Sequence, residues 1–98
     1  MMLDKTKTEV YERALNQFGI TAQTDMLIEE MAELTQALLH DRRGRTSNIS
    51  EEIADVIIML EQIILYFDIS TDVRVLKNKK LCRLAERVGI KGWLNGES

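Results

Sequence analysis

The chain has 98 residues, of which 45% are hydrophobic and 30% charged, and it contains no proline. This composition fits a packed helical protein better than a disordered or β-rich one, and the length predicts one domain over residues 1–98. A formal net charge of −3 provides no basic field for nucleic acid, so no such partner is expected. The lone cysteine and the lack of a leader or membrane-spanning stretch predict a soluble, cytoplasmic protein.

Two amphipathic helices are predicted in the first half of the chain. The first covers about residues 4–18, with Gly19 as its C-terminal cap. The second covers about residues 21–40, with Thr21 as its N-terminal cap. Its apolar stripe consists of Leu27, Met31, Leu34 and Leu38. The polar stretch 41–47 then reverses the chain, so the helices on either side of it are expected to be antiparallel.

The third and fourth helices complete the predicted fold. Asn48 or Ser50 caps the third helix, which is apolar on nearly all sides over residues 53–67 and therefore needs cover from a second subunit. Ser70 caps a fourth helix that ends near Gly89. The predicted fold is an all-α antiparallel bundle of about four helices, completed by oligomerisation as a homodimer or homotetramer.

Two acidic pairs carry the chemistry that the sequence indicates. Glu30 and Glu33 lie three residues apart on the second helix, and Glu52 and Asp55 lie three apart on the third, so each pair shares one helix face. The pairs also lie at similar distances from the intervening loop, which lets them meet across the hairpin. Asp55 is flanked by apolar residues, where an unpaired carboxylate is costly.

The counter-charge for these carboxylates is missing from the nearby sequence. No lysine or arginine lies between Thr46 and Val73, so it comes from elsewhere in the fold or from an ion. An all-oxygen ligand set favours Mg²⁺ or Mn²⁺. The alternative interpretation is a pair of solvated acidic helix faces, which is the ordinary state of surface carboxylates.

Three segments together resemble the MazG-like all-α nucleoside triphosphate pyrophosphohydrolases. The sequence E-E-M-A-E at residues 29–33 and E-I-A-D at residues 52–55 resembles the paired E-E-x-x-E and E-x-x-D motif of that family. The sequence N-K-K-L-C-R-L at residues 78–84 resembles the asparagine and basic residues on the family's following helix. The resemblance extends from Glu29 to about Arg87.

The resemblance implies a site and a reaction. The reaction is hydrolysis between the α and β phosphates of a nucleoside triphosphate, which gives a monophosphate and pyrophosphate. The metal is Mg²⁺, or Mn²⁺ in its place, and its ligands are Glu30, Glu33, Glu52 and Asp55. Glu29 orients the attacking water. The substrate-binding residues are Asn78, Lys80 and Arg83, with Lys77 as a weaker candidate.

Two other functions compete with this hypothesis. An oxygen-handling di-metal bundle needs paired glutamate and histidine ligands, and His40 is the only histidine. A non-catalytic helical module that binds a nucleotide or a protein, with a structural metal site, fits the same acidic pairs.

Three further features are left outside the predicted site. His40 is interpreted as a helix-end residue favoured by the helix dipole. The arginines around Gly44 fit a solvated turn better than a mobile phosphate clamp; they are Arg42, Arg43 and Arg45. Trp93 fits docking on a protein surface better than stacking on a nucleobase.

Overall fold

Helices form all the regular secondary structure in residues 4–92, which are the residues that the computed structural model describes. They are α1 (Asp4–Phe18), α2 (Ile20–Arg42), α3 (Ile49–Phe67) and α4 (Ser70–Arg87). The prediction of an all-α chain with four helices is thereby confirmed. In the same residues, no helix has both the length and the apolar character needed to cross a membrane.

The chain divides into two compact units, one up to Phe67 and one from Asp68. The first contains α1, α2 and α3, and the second contains α4. Asp68 has a φ of 54°, in the left-handed region that few non-glycine residues adopt. The division therefore falls next to a residue in the left-handed backbone conformation.

A single glycine separates α1 from α2. The Gly19 N–H donates to the Leu15 carbonyl at 2.9 Å, and its φ of 88° favours glycine, as predicted for a C-terminal cap. The Gly19 carbonyl also accepts from the Gln23 N–H at 3.1 Å, so the same residue begins α2. The prediction that Thr21 caps α2 is therefore wrong, because Thr21 already lies inside the helix.

The predicted cap of α4 is wrong for the same kind of reason. Ile69 occupies the cap position and makes no side-chain cap bond, while Ser70 is the first helical residue. The Ile69 carbonyl accepts from the Val73 N–H at 2.9 Å, so the backbone alone begins the helix.

The apolar core of the first unit lies between α2 and α3. Leu27, Val56 and Met59 are buried together, and Leu34 and Ile63 pack against them. Burial of such side chains contributes roughly 1.5–3 kcal/mol each when it is complete. None of the described side chains is fully buried, so the unit by itself realises only part of this stabilisation.

The buried face of α2 differs from the predicted stripe. Met31 and Leu38 are 43% and 46% exposed, whereas Gln23 and Ala37 are buried. Leu27 and Leu34 lie at the core as predicted. The prediction is wrong for Met31 and Leu38, because it assigned the interface to the most apolar line of residues. The face that α2 turns to α3 instead includes polar side chains that find their partners on α3.

Buried amides form one of these polar contacts. The Gln23 Nε2 donates to the Gln62 Oε1 at 2.7 Å, and the Gln62 Nε2 donates to the Met59 sulfur at 3.5 Å. Both glutamines are buried. A buried amide without a partner is destabilising. The hydrogen bond between the two glutamines therefore makes their burial in the core possible.

The hydroxyl of Tyr11 joins α1 to α3. It donates to the Glu61 Oε1 at 2.5 Å, and the Lys7 ammonium lies 3.6 Å from the same oxygen. Burial, followed by the hydrogen bond and the negative charge of Glu61, raises the pKa of Tyr11 to about 12. The tyrosine therefore stays a neutral donor at any physiological pH.

Candidate metal centre

The contacts between α2 and α3 bring the two acidic pairs together. Glu30 lies seven residues after Gln23, and the side chain beside it on α3 is Asp55, which lies seven residues before Gln62. Three residues after Glu30, Glu33 lies beside Glu52. Steps of three and seven keep these side chains on one face of each helix.

The carboxylate oxygens are close enough to share a cation. One oxygen each from Glu30, Glu33 and Glu52 lies within 4.8 Å of the other two. Oxygens that bind one Mg²⁺ lie about 3–4 Å apart, so small side-chain rotations complete such a geometry. Asp55 is grouped with them because its side chain lies beside that of Glu30, and both line the same groove. We call these four residues the acidic cluster.

The acidic cluster lies at the surface of the helix pair. Glu33 is exposed, and the other three members are half-buried. This partial exposure leaves room for water or phosphate beside a bound cation, which is the usual arrangement around Mg²⁺.

Proximity of like charges changes the acid–base behaviour of the cluster. The pKa of Glu30 is raised by burial, by its hydrogen bond with Asp55, and by the charges of Glu33, Asp55 and Glu52. The pKa of Glu52 is raised by burial, by the charges of Glu33, Asp55 and Glu51, and by its hydrogen bond with Glu33. A raised pKa means that the neutral form of each of these two groups is favoured by its neighbours, and a bound cation would oppose that effect by favouring the charged forms.

An ion pair of the first unit lies outside the acidic cluster. In the described residues up to Phe67, neither lysine nor arginine forms an ion pair with its members, and the ion pair in that region joins Lys7 to Glu61. Carboxylates that lie close together without an ion pair repel one another, and a divalent cation is one way in which that repulsion can be reduced.

Two grooves begin at the acidic cluster. The first, which we call the loop groove, has a volume of about 370 Å³ and extends to the connection between α2 and α3. Its lining residues are Glu33, Gln36, Ala37, His40, Thr46, Ser47, Asn48 and Glu52. The second has a volume of about 240 Å³ and is lined by Met26, Glu30, Asp55, Ile58 and Met59.

The polar residues of the loop groove were missed by the sequence analysis. His40, half-buried in the last turn of α2, fits the predicted helix-end position and also lines this groove. The sequence offered one signal for the polar residues of this groove, which is that they lie between the two acidic motifs. Arg42, Arg43 and Arg45 are exposed.

Glu29 and the residues of α4 keep predicted roles only. Glu29 is exposed and points about 100° around α2 from Glu30, outside the shared oxygen set. Asn78 is half-buried, while Lys80 and Arg83 are exposed on α4 in the second unit. Trp93 lies outside the described residues.

The fold and the acidic cluster define a class of protein: an all-helical chain with a carboxylate site on two packed helices. Comparison with protein-family models, with curated proteins and with solved structures gave no match.

Proposed function

We propose that the chain is a Mg²⁺-dependent nucleoside triphosphate pyrophosphohydrolase of the MazG-like type. It would cleave the bond between the α and β phosphates and release a nucleoside monophosphate and pyrophosphate, as an enzyme that removes unwanted nucleotides from the pool. The observation that supports the proposal is the meeting of the two acidic motifs in one cluster, with three carboxylate oxygens within 4.8 Å.

The acidic cluster supplies the ligands in this proposal. Glu30, Glu33, Glu52 and Asp55 would hold the divalent ion, which when bound would neutralise phosphate oxygens and lower the pKa of a water. Glu29, on the next position of α2 to Glu30, would orient the attacking water. Mn²⁺ fits the same oxygen ligands and is expected to replace Mg²⁺.

Substrate phosphates need positive charge in addition to the metal. We assign this role to Lys80 and Arg83, which lie three residues apart on one face of α4. Asn78 contacts the base, the sugar or a phosphate. These three assignments rest on the sequence motif.

The loop groove offers space for the rest of the nucleotide. Its volume of about 370 Å³ lies within the range of small-molecule sites, and it starts at Glu33 and Glu52. Gln36, His40 and Asn48 provide donors and acceptors along its wall. A nucleotide whose phosphates bind the metal is therefore within reach of specific polar contacts in this groove.

The proposed enzyme is an antiparallel α2–α3 hairpin that assembles as a homodimer or homotetramer in the cytoplasm. Large apolar side chains on α3 remain exposed: Ile53, Ile57, Ile58 and Leu60 are 41%, 47%, 45% and 40% exposed. Apolar faces of this kind usually mark an interface, and a second copy of the chain supplies the matching surface. Sedimentation velocity over a range of concentrations tests this part of the proposal.

The activity test is pyrophosphate release from a panel of ordinary and modified nucleoside triphosphates, with Mg²⁺, with Mn²⁺ and with chelator. We expect metal-dependent release, and a loss of at least about 100-fold in Glu33→Gln and in Asp55→Asn, because even outer-shell changes at metal sites cost 10–100-fold. Asp25→Asn is the matched control: it removes an exposed carboxylate of α2 outside the cluster and should retain activity.

Each alternative result has a defined meaning. Equal turnover by wild type, Glu33→Gln and Asp55→Asn would show that the cluster is not the active site. Metal binding without turnover on any substrate would instead favour the non-catalytic module with a structural metal site.

A further inference from the structure

The buried amide pair and the acidic cluster depend on the same alignment of α2 with α3. Gln23 and Gln62 are 8% and 5% exposed and are joined by a 2.7 Å hydrogen bond. Glu30 lies two helical turns from Gln23, and Asp55 lies two turns from Gln62. One register of the two helices therefore satisfies the amides and assembles the carboxylates.

Apolar contacts alone do not select that register. The sides of α3 that face away from Met59 also carry large apolar residues, and Ile57 and Ile58 remain 47% and 45% exposed. A helix that is apolar on several sides can bury similar area in several alignments. The polar residues of the interface must therefore distinguish one alignment from the others.

The amide pair makes this distinction. If α3 slipped by three residues, Gln23 would come opposite Met59 or Leu65, depending on direction. Gln62 would then come opposite Ile20 or Met26. Each amide would lose its partner inside the interface, and a single buried polar residue is known to fix register in helix pairs in this way.

The same slip would dismantle the acidic cluster. In one direction Glu30 would face Glu52, but Asp55 would face Leu27 and Glu33 would face Ile49. We propose that the Gln23–Gln62 pair is a positioning element, which fixes the register of α3 on α2 and thereby assembles the four carboxylates. The effect of this pair on catalysis rests on the proposed function, whereas its effect on the register of the two helices does not.

The experiment replaces both amides and measures register directly. Spin labels are attached to cysteines introduced by Thr21→Cys and Ser50→Cys, in a chain that also carries Cys82→Ala. Thr21 and Ser50 are both exposed. Their separation along the helix axis is about 20 Å in the observed register, and a slip of three residues changes it by about 5 Å. Double electron–electron resonance on the metal-free full-length protein then compares wild type with Gln23→Leu/Gln62→Leu.

The second measurement is the affinity for Mn²⁺. It is obtained with unlabelled protein from the paramagnetic resonance signal of the free ion. Ile63→Leu is the matched control, because it changes a core-packed neighbour of Gln62 and leaves the hydrogen bonds of both amides in place. We expect the wild type and this control to give one narrow distance and equal Mn²⁺ affinity. The double leucine variant should keep its thermal midpoint, show a second distance, and bind Mn²⁺ about 10-fold or more weakly.

A single wild-type distance in the folded double variant would overturn the proposal. If the leucine variant does not fold, Gln23→Met/Gln62→Met offers unbranched side chains of similar length, and failure of both to fold would also contradict a role in register. If the wild type binds no Mn²⁺, the proposed function fails, and the distances alone decide the register inference.

Discussion

The two polar contacts between α2 and α3 differ in how completely they are satisfied. At one contact, Gln23 and Gln62 are buried and neutral, and each contributes to a hydrogen bond. At the other, the acidic cluster brings negative groups together, and no lysine or arginine among the described residues up to Phe67 forms an ion pair with them. The first contact is complete within the chain. The second retains the mutual repulsion of its carboxylates.

This difference separates a structural role from a functional one. A paired amide stabilises the interface at any ordinary pH, because neither partner titrates. A carboxylate cluster destabilises the folded chain until a cation or protons reduce its charge. Measurements that change the metal, the amides or the pH should therefore affect the two contacts in different ways.

Metal addition should have the largest effect, and only through the acidic cluster. At a Mg²⁺ or Mn²⁺ concentration 100 times the Kd, binding to the folded chain raises the free energy of unfolding by about 2.7 kcal/mol. Thermal unfolding with metal and with chelator measures this shift. Asp25→Asn should show the full shift, and Glu33→Gln/Asp55→Asn should show almost none. An equal shift in both variants would place the metal elsewhere.

Removal of one amide should have the next largest effect. Gln23→Leu leaves the Gln62 amide buried without its partner and should lower the free energy of unfolding by about 1–3 kcal/mol. The double leucine variant removes both polar groups and should return close to the wild-type value. Urea denaturation of the two single variants and the double variant tests this. Additive losses in the double variant would show that the two amides do not act as a pair.

The pH dependence should have a smaller effect, with a defined sign. Glu30 and Glu52 have a pKa raised above 4.5 in the folded, metal-free chain. The folded chain then binds more protons than the unfolded chain between pH 4.5 and the raised pKa values, so the free energy of unfolding falls as pH rises through that window.

Comparison of wild type with Glu30→Gln isolates this contribution. The variant lacks one titrating group and reduces the repulsion on its neighbours, so its metal-free thermal midpoint should fall less with rising pH. Addition of Mg²⁺ should remove the decrease in the wild type. Parallel pH profiles for the two proteins in chelator would contradict the charge arrangement described above.

Most of the helical fold could be predicted because its signals are local. The limits of α1, the cap at Gly19 and the polar connection after α2 follow from periodicity and from glycine, which the structure confirms. The spacing within each acidic pair also predicted that carboxylates from α2 and α3 could meet. These inferences need only the geometry of one helix or of one short connection.

The buried side of α2 could not be predicted from the same signals. Periodicity favoured Met31 and Leu38, which are exposed, over Gln23, which is buried. Gln23 can be buried because it pairs with Gln62, which lies 39 residues away in the sequence. A local pattern contains no information about a pairing over that separation. The loop groove was missed for a related reason, since its wall combines residues of α2 with residues of the connection.

Direct Mn²⁺ binding tests the central claim that the acidic cluster is a metal centre. The free-ion resonance should decrease as wild-type protein is added at neutral pH, and it should decrease equally with Asp25→Asn. Glu33→Gln/Asp55→Asn should bind at least about 100-fold more weakly, because two of the four oxygen ligands have become neutral amides. Equal Mn²⁺ binding by wild type and this double variant, or none by either, would contradict the claim.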